Sequence, residues 1–132
     1  MTTRVLVADD VRVLRETLVA LLDLEDDLNV VAAVSSGERI LPAALAHRPD
    51  VAVLDIDLPV VDGLTAAAEL ARRLPACRSL ILTALVVPEP AVRARAVGAW
   101  AFLTKGASAD VLIDAVRRVA GGERLIGSDN VS

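Results

Sequence analysis

The sequence predicts an open, doubly wound α/β domain, a five-stranded parallel sheet with helices on both faces. Three observations predict it. Five short apolar runs lack polar alternation, as strands buried on both faces do. Longer amphipathic stretches lie between them. The two kinds of segment alternate strictly, with short connections, which argues for a parallel sheet. At 132 residues the chain has the material for one core.

Val5 to Ala8 makes the first strand. Val11 to Leu24 follows with Leu14, Leu18, Leu21 and Leu22 at helical spacing and Arg15, Glu16 and Asp23 on other faces. Val30 to Val34 is the second strand. Ser35, with Glu38 three residues on, reads as a capping box opening a helix that runs to about His47, where Pro49 prevents continuation. Val51 to Leu54 is the third strand, and Asp62 before Gly63 can cap a third helix through TAAAELARR, which stops before Pro75. Leu80 to Leu82 is the fourth strand; Pro88 to Pro90 opens a shorter helix ending at Gly98. Ala101 to Leu103 completes the sheet. Ser108 can cap the fifth helix, through Val111, Ala115 and Val119, which Gly121 and Gly122 close. The remaining GERLIGSDNVS, residues 122–132, reads as the start of a linker.

Composition narrows the function. Hydrophobic residues make up 55% and charged residues 24%, which excludes disorder as the main state. Trp100 and Phe102 are the only aromatics, so stacking platforms for bases are not expected. The net charge of -4 has the wrong sign for a phosphate-binding surface, so this chain is not expected to bind nucleic acid itself. Cys77 is the single cysteine, which excludes an internal disulfide and a multi-thiolate zinc site and fits a reducing cytoplasm. No apolar run approaches the roughly 20 residues of a membrane span, and no signal peptide is visible.

In an open α/β sheet, ligands bind outside the carboxyl ends of the strands. The residues there are Asp9 and Asp10 after the first strand, Asp55 after the third, Thr83 after the fourth and Lys105 after the fifth. Singly, each has an ordinary reading: a helix cap, a turn, a hydroxyl satisfying local backbone, a lysine on a wet surface. Jointly they form a site. Two carboxylates about 4 Å apart repel by roughly 4 kcal/mol at an effective dielectric of 20, so three need a counter-charge. Hard oxygens without His or Cys favour Mg²⁺ or Mn²⁺. Lys105 and Thr83 suit the remaining oxygens of a phosphoryl group, and a carboxylate can take that group as a nucleophile.

The segments VLVADD, VLDIDLPVVDG, LILTA and FLTKG, in this order and spacing, resemble the signature of response-regulator receiver domains of two-component signalling. The resemblance covers Arg4 to about Ala120. It implies a flavodoxin-like, CheY-like (βα)5 fold with strand order 2-1-3-4-5 and a receiver spanning residues 1–121. It implies that Asp55 is the phospho-acceptor, that Asp10 binds the metal directly and Asp9 through water, and that Asp57 lends its backbone carbonyl. Thr83 matches the switch hydroxyl, Lys105 the family's lysine, and Phe102 the aromatic that swings between exposed and buried rotamers. The implied chemistry is transfer from a phosphohistidine on a partner histidine kinase, assisted by Mg²⁺ and reset by water. Such a domain assists its own phosphorylation and dephosphorylation and is not otherwise an enzyme.

Some features depart from the pattern or extend it. Gly106 stands where many receivers have a cis-proline. The loop Ala84-Leu85-Val86-Val87 is unusually apolar and is either a contact surface or a buried loop. Asp57 either tunes the site, repelling an anionic phosphoryl or steering water, or is merely exposed. His47 reads as a surface residue, Cys77 as unactivated, and Trp100 as packed beside the last strand. The fifth helix carries Val111, Leu112, Ile113, Val116 and Val119, an arc too wide for one sheet-facing stripe, so part of it is expected to meet a partner. GAWAFLTKGASADVLIDAVRRVAGGERLI resembles regulators of the NarL/LuxR type. That implies a homodimer through the first and fifth helices, and a transcription factor whose DNA-binding helix-turn-helix lies outside this chain. The alternative is a stand-alone receiver acting on a protein target. A haloacid dehalogenase-type phosphatase is the rival from another class, since Asp55-Ile56-Asp57 resembles its D-x-D, but Pro59 breaks that motif. An atypical receiver regulated without phosphorylation is disfavoured by the intact five-residue site.

Overall fold

A computed structural model describes residues 2–84 and 88–126. Its elements are β1 (Thr3–Ala8), α1 (Arg12–Asp23), β2 (Leu28–Val34), a 3-10 turn (Gly37–Arg39), α2 (Ile40–His47), β3 (Val51–Asp55), α3 (Gly63–Arg73), β4 (Arg78–Thr83), α4 (Pro88–Ala96), β5 (Ala101–Thr104) and α5 (Ala109–Ala120). The sheet is parallel throughout, in the order β2-β1-β3-β4-β5. The expected doubly wound topology is the observed one.

Strand side chains alternate between two cores. Val5, Val7, Val51, Val53, Leu80 and Leu82 face one, where Leu22 of α1 and Leu112, Val116 and Val119 of α5 meet them. Leu6, Leu54 and Ile81 face the other, with Ile40, Leu64, Leu70 and Ala94 from α2, α3 and α4. With both faces covered, an alternating polar pattern would leave unpaired groups in apolar surroundings, so the central stretches Val5–Ala8, Val51–Leu54 and Leu80–Leu82 are apolar throughout.

Local signals hold at most helix ends. Asp62 Oδ1 accepts from Thr65 N at 2.8 Å, and Ser108 Oγ from Val111 N at 3.2 Å. Gly98 (φ 87°) follows α4, and Gly122 (φ 96°) follows α5. The Ser35–Glu38 capping box does not form. Ser36 occupies the cap position of the 3-10 turn, makes no side-chain cap bond, and α2 begins only at Ile40. A tertiary bond explains this: the Gly37 amide, a donor such a box could satisfy, goes to Pro59 O at 3.1 Å. Glu38 turns instead to the Ser36 hydroxyl, which holds its carboxyl below the usual value.

Two expectations meet more packing than they assumed. Within α5, Leu112, Ile113, Val116 and Val119 are all buried within the chain, and only Val111, 48% exposed, remains on the surface. The segment 123–126, read as the first part of a linker, is docked: Leu125 and Ile126 donate to Trp100 O at 2.8 and 3.1 Å, and Ile126 is buried. Arg124 and Arg78 both stack on the Trp100 ring, 4.2 and 4.6 Å from its centroid. Of the loop 84–87, Leu85 to Val87 lie outside the described residues, as does the chain from residue 127. No cis peptide bond occurs among the described residues, and no helix among them is long and apolar enough to cross a membrane.

Candidate functional site

Because every strand runs the same way, the carboxyl ends of β1, β3, β4 and β5 open onto one edge, where β3 and β4 end on Asp55 and Thr83 and the connections after β1 and β5 begin with Asp9 and Lys105. Asp9 and Asp55 are each 1% exposed and Thr83 2%, whereas Asp10 and Asp57 are exposed. One carboxylate oxygen from each of Asp9, Asp10 and Asp55 falls within 4.8 Å of the others. Lys105 reaches in from the end of β5, its Nζ 2.9 Å from Asp55 Oδ2 and 3.3 Å from Asp9 Oδ2.

Each side chain is held by its neighbours. Asp9 Oδ1 accepts from Val11 N at 2.9 Å, the turn into α1, and Arg15 Nη1 donates to Asp9 O at 2.9 Å. Asp55 Oδ1 accepts from Asp57 N at 3.1 Å. The Lys105 amide donates to Thr83 O at 2.7 Å, locking the ends of β4 and β5 together. Phe102 is half-buried against the core beneath α2, α3 and α4, in register with Ile81 and on the same sheet face as Thr83. Burial works to lower the Lys105 pKa, but the hydrogen bond and charge of Asp55, followed by those of Asp9, outweigh it and the net shift is upward. The ammonium therefore stays charged.

Asp9 Oδ2 is buried and makes no well-aligned hydrogen bond, with Lys105 Nζ 3.3 Å away. Three acids offering hard oxygens within 4.8 Å of one another, one of them with a buried oxygen free of any well-aligned hydrogen bond, fit a small divalent cation such as Mg²⁺ or Mn²⁺.

Of the residues read from the strand ends, Asp9, Asp10, Asp55 and Lys105 converge; Thr83 ends β4 with its carbonyl accepting from the Lys105 amide, Asp57 adjoins Asp55 through its amide, and Phe102 packs against the core. Sequence reading missed three residues that shape the edge. Arg15 was assigned only to a polar face. Gly63 was read only as the residue after a cap; a Cβ there would lie 2.2 Å from the Asp55 carbonyl oxygen. Gly37 is as tight, its Cβ position 1.6 Å from Val61 O. A glycine following a capping Asp was the available signal for the second.

Comparison with known proteins gives the same grouping. A model of the family described as "Response regulator receiver domain" matches residues 5–117. The transcriptional regulatory protein YvfU of Bacillus subtilis (strain 168) is 37% identical over 126 residues, covering 96% of this chain and 63% of that protein. The transcriptional regulatory protein DesR of the same organism is 34% identical over 121 residues, covering 92% and 60%. The chain thus spans less than two thirds of the length of these relatives. The signal receiver domain of the response regulator NarL from Mycobacterium tuberculosis superposes with a TM-score of 0.89 at 34% identity, covering 92% of this chain and 98% of that one.

Proposed function

This chain belongs to the response regulator receiver domain family, and from that premise we propose that Asp55 is the residue that takes up the phosphoryl group. The observation that carries the reading is the buried Asp55 carboxylate, ion-paired to Lys105 at 2.9 Å and sharing one edge with Asp9 and Asp10. An Asp55 oxygen attacks phosphorus as the P–N bond to a histidine of a sensor kinase breaks, and the imidazole leaves with that electron pair. Lys105 offers an ammonium to the equatorial oxygens and Thr83 a hydroxyl donor. Asp9, Asp10 and Asp55, with the Asp57 carbonyl, would hold Mg²⁺ or Mn²⁺, whose bound charge offsets that of the phosphoryl oxygens. Water attack on phosphorus returns the carboxylate and inorganic phosphate, so the domain resets itself rather than turning over a substrate.

The added phosphoryl brings nearly two negative charges. Drawing Lys105 and Thr83 toward it, with Phe102 moving into the space Thr83 leaves, makes a two-state switch. Moving such a switch from 1:99 to 99:1 takes about 5.5 kcal/mol, which a few charge-assisted hydrogen bonds at about 1.5–3 kcal/mol each supply. The relatives are named transcriptional regulators, which supports a cytoplasmic transcription regulator whose receiver over residues 1–121 is extended by the docked segment to residue 126 and leads to a DNA-binding region, with dimerisation through α1 and α5.

Incubation with acetyl phosphate and Mg²⁺, read by intact mass, tests the acceptor. Wild type is expected to gain one base-labile phosphoryl and Asp55→Asn none. Equal labelling of both proteins would overturn the assignment.

A further inference from the structure

Asp9 is held at three points. Its amide donates to Val34 O at 3.1 Å, its Oδ1 accepts from the Val11 amide at 2.9 Å, and its carbonyl oxygen accepts from Arg15 Nη1 at 2.9 Å. The first two partners are backbone groups, which do not depend on residue type, proline apart. The third is a side chain. We propose that Arg15 is a positioning residue for the divalent cation: by holding the peptide between Asp9 and Asp10, it aims both carboxylates at one ion. The proposal rests on the reading of Asp9, Asp10 and Asp55 as that ion's ligands.

The leverage comes from the planarity of the peptide. The Asp9 carbonyl and the Asp10 amide belong to one rigid unit that runs from the Asp9 Cα to the Asp10 Cα. A donor fixed on its oxygen sets the tilt of that unit, and with it the direction in which both side chains leave the chain. Asp10 depends on this most. It is exposed, and among the described residues its carboxylate makes no hydrogen bond or ion pair, so the backbone alone directs it into the cluster. Arg15 suits the task because it lies in the first turns of α1, half-buried, with a planar guanidinium that gives up less freedom per bond than an ammonium. The bond to Asp9 O is the one polar side-chain contact it makes among the described residues. Charge alone gives the opposite effect, since a guanidinium beside the acids repels a metal cation. The two roles differ in sign, and a neutral residue at position 15 separates them.

The test is calorimetric titration of the unphosphorylated protein with Mg²⁺, for wild type, Arg15→Met, Arg15→Gln and the charge control Arg12→Met, with urea unfolding in metal-free buffer to check each fold. Arg12 lies on the same helix, exposed and paired with Glu16 at 3.0 Å. Removing a group that orients metal ligands costs about 10–100-fold in affinity, so the Mg²⁺ Kd of both Arg15 variants is expected to rise at least about tenfold. Arg12→Met is expected to bind as tightly as wild type or more tightly. Arg15→Gln keeps the position polar should methionine cost the fold. A folded Arg15 variant that binds Mg²⁺ as well as wild type or better would overturn the proposal, as would equal weakening in Arg12→Met. The mass-labelling result is separate: wild type that binds Mg²⁺ yet takes up no phosphoryl would sink the acceptor reading and leave this one standing. Wild type that binds no Mg²⁺ would overturn this proposal whatever Asp55 does.

Discussion

Lys105 Nζ lies 2.9 Å from Asp55 Oδ2, although the two residues are fifty positions apart in the chain. The ammonium sits between two buried carboxylates, and its removal is the most direct perturbation of the site.

Lys105→Gln leaves Asp9 and Asp55 facing each other without a counter-charge. Repulsion between carboxylates at this spacing is about 4 kcal/mol at an effective dielectric of 20, reduced because the lysine end is partly in solvent. A loss of about 1–3 kcal/mol is expected in urea unfolding without divalent cation, with part of it recovered in Mg²⁺. Unchanged stability without metal would contradict the counter-charge argument. The same interactions set a pH dependence: the folded pKa is raised above 10.5, so this contribution is complete below pH 10.5 and is lost as pH rises through the folded value.

Gly63→Ala is expected to disturb the acceptor directly. The new methyl would lie 2.2 Å from the Asp55 carbonyl oxygen and 3.0 Å from Ile56 Cα, both backbone atoms that no rotamer change can move. Destabilisation of at least about 2 kcal/mol should accompany slower labelling by acetyl phosphate. Wild-type labelling in a wild-type-stable variant would show that the loop has another way to settle.

Val60 stands at φ 70° with its side chain 80% exposed. The left-handed conformation costs a side-chain-bearing residue about 1–2 kcal/mol, and an exposed valine has little packing to lose. Val60→Gly relieves that cost but gains about 0.4–1 kcal/mol of unfolded-chain freedom. The net expectation is stabilisation by about 0.5–1 kcal/mol in chemical denaturation; a destabilised variant would mean that Val60 makes contacts that offset the strain.

Burial, with a smaller push from the charge of Asp50, drives the Cys77 thiol from 9.0 up to about 12. The folded protein keeps this proton while the unfolded chain releases it above about pH 9. Stability is therefore full below pH 9 and falls as pH rises toward 12, and Cys77→Ala should lose less over that window. Alkylation by iodoacetamide at pH 8.5 should require denaturant; rapid modification of native protein would refute the burial.

Where a feature depends on neighbours in the chain, the sequence was a sufficient guide. The alternation of apolar runs and amphipathic stretches corresponds to the observed elements, and Asp62 and Ser108 cap the helices they precede. The Ser35–Glu38 box failed because Gly37 is tied to Pro59, more than twenty residues on. The wide apolar arc of α5 suggested a partner, yet most of it is covered by the chain itself. Leu125 and Ile126 read as linker because nothing in GERLI signals that the Trp100 carbonyl, with Arg78 and Arg124 on its ring, will hold them.

Sequence alone determined the doubly wound class, the family resemblance and which polar residues stand at the strand ends, because periodicity and capping are read within a few residues. Only the tertiary structure decided that Lys105 reaches Asp55 and Asp9, and that Leu125 and Ile126 are held on the Trp100 carbonyl. Those outcomes depend on distances across the sheet, where small displacements make or break an ion pair and leave the local pattern of residues unchanged.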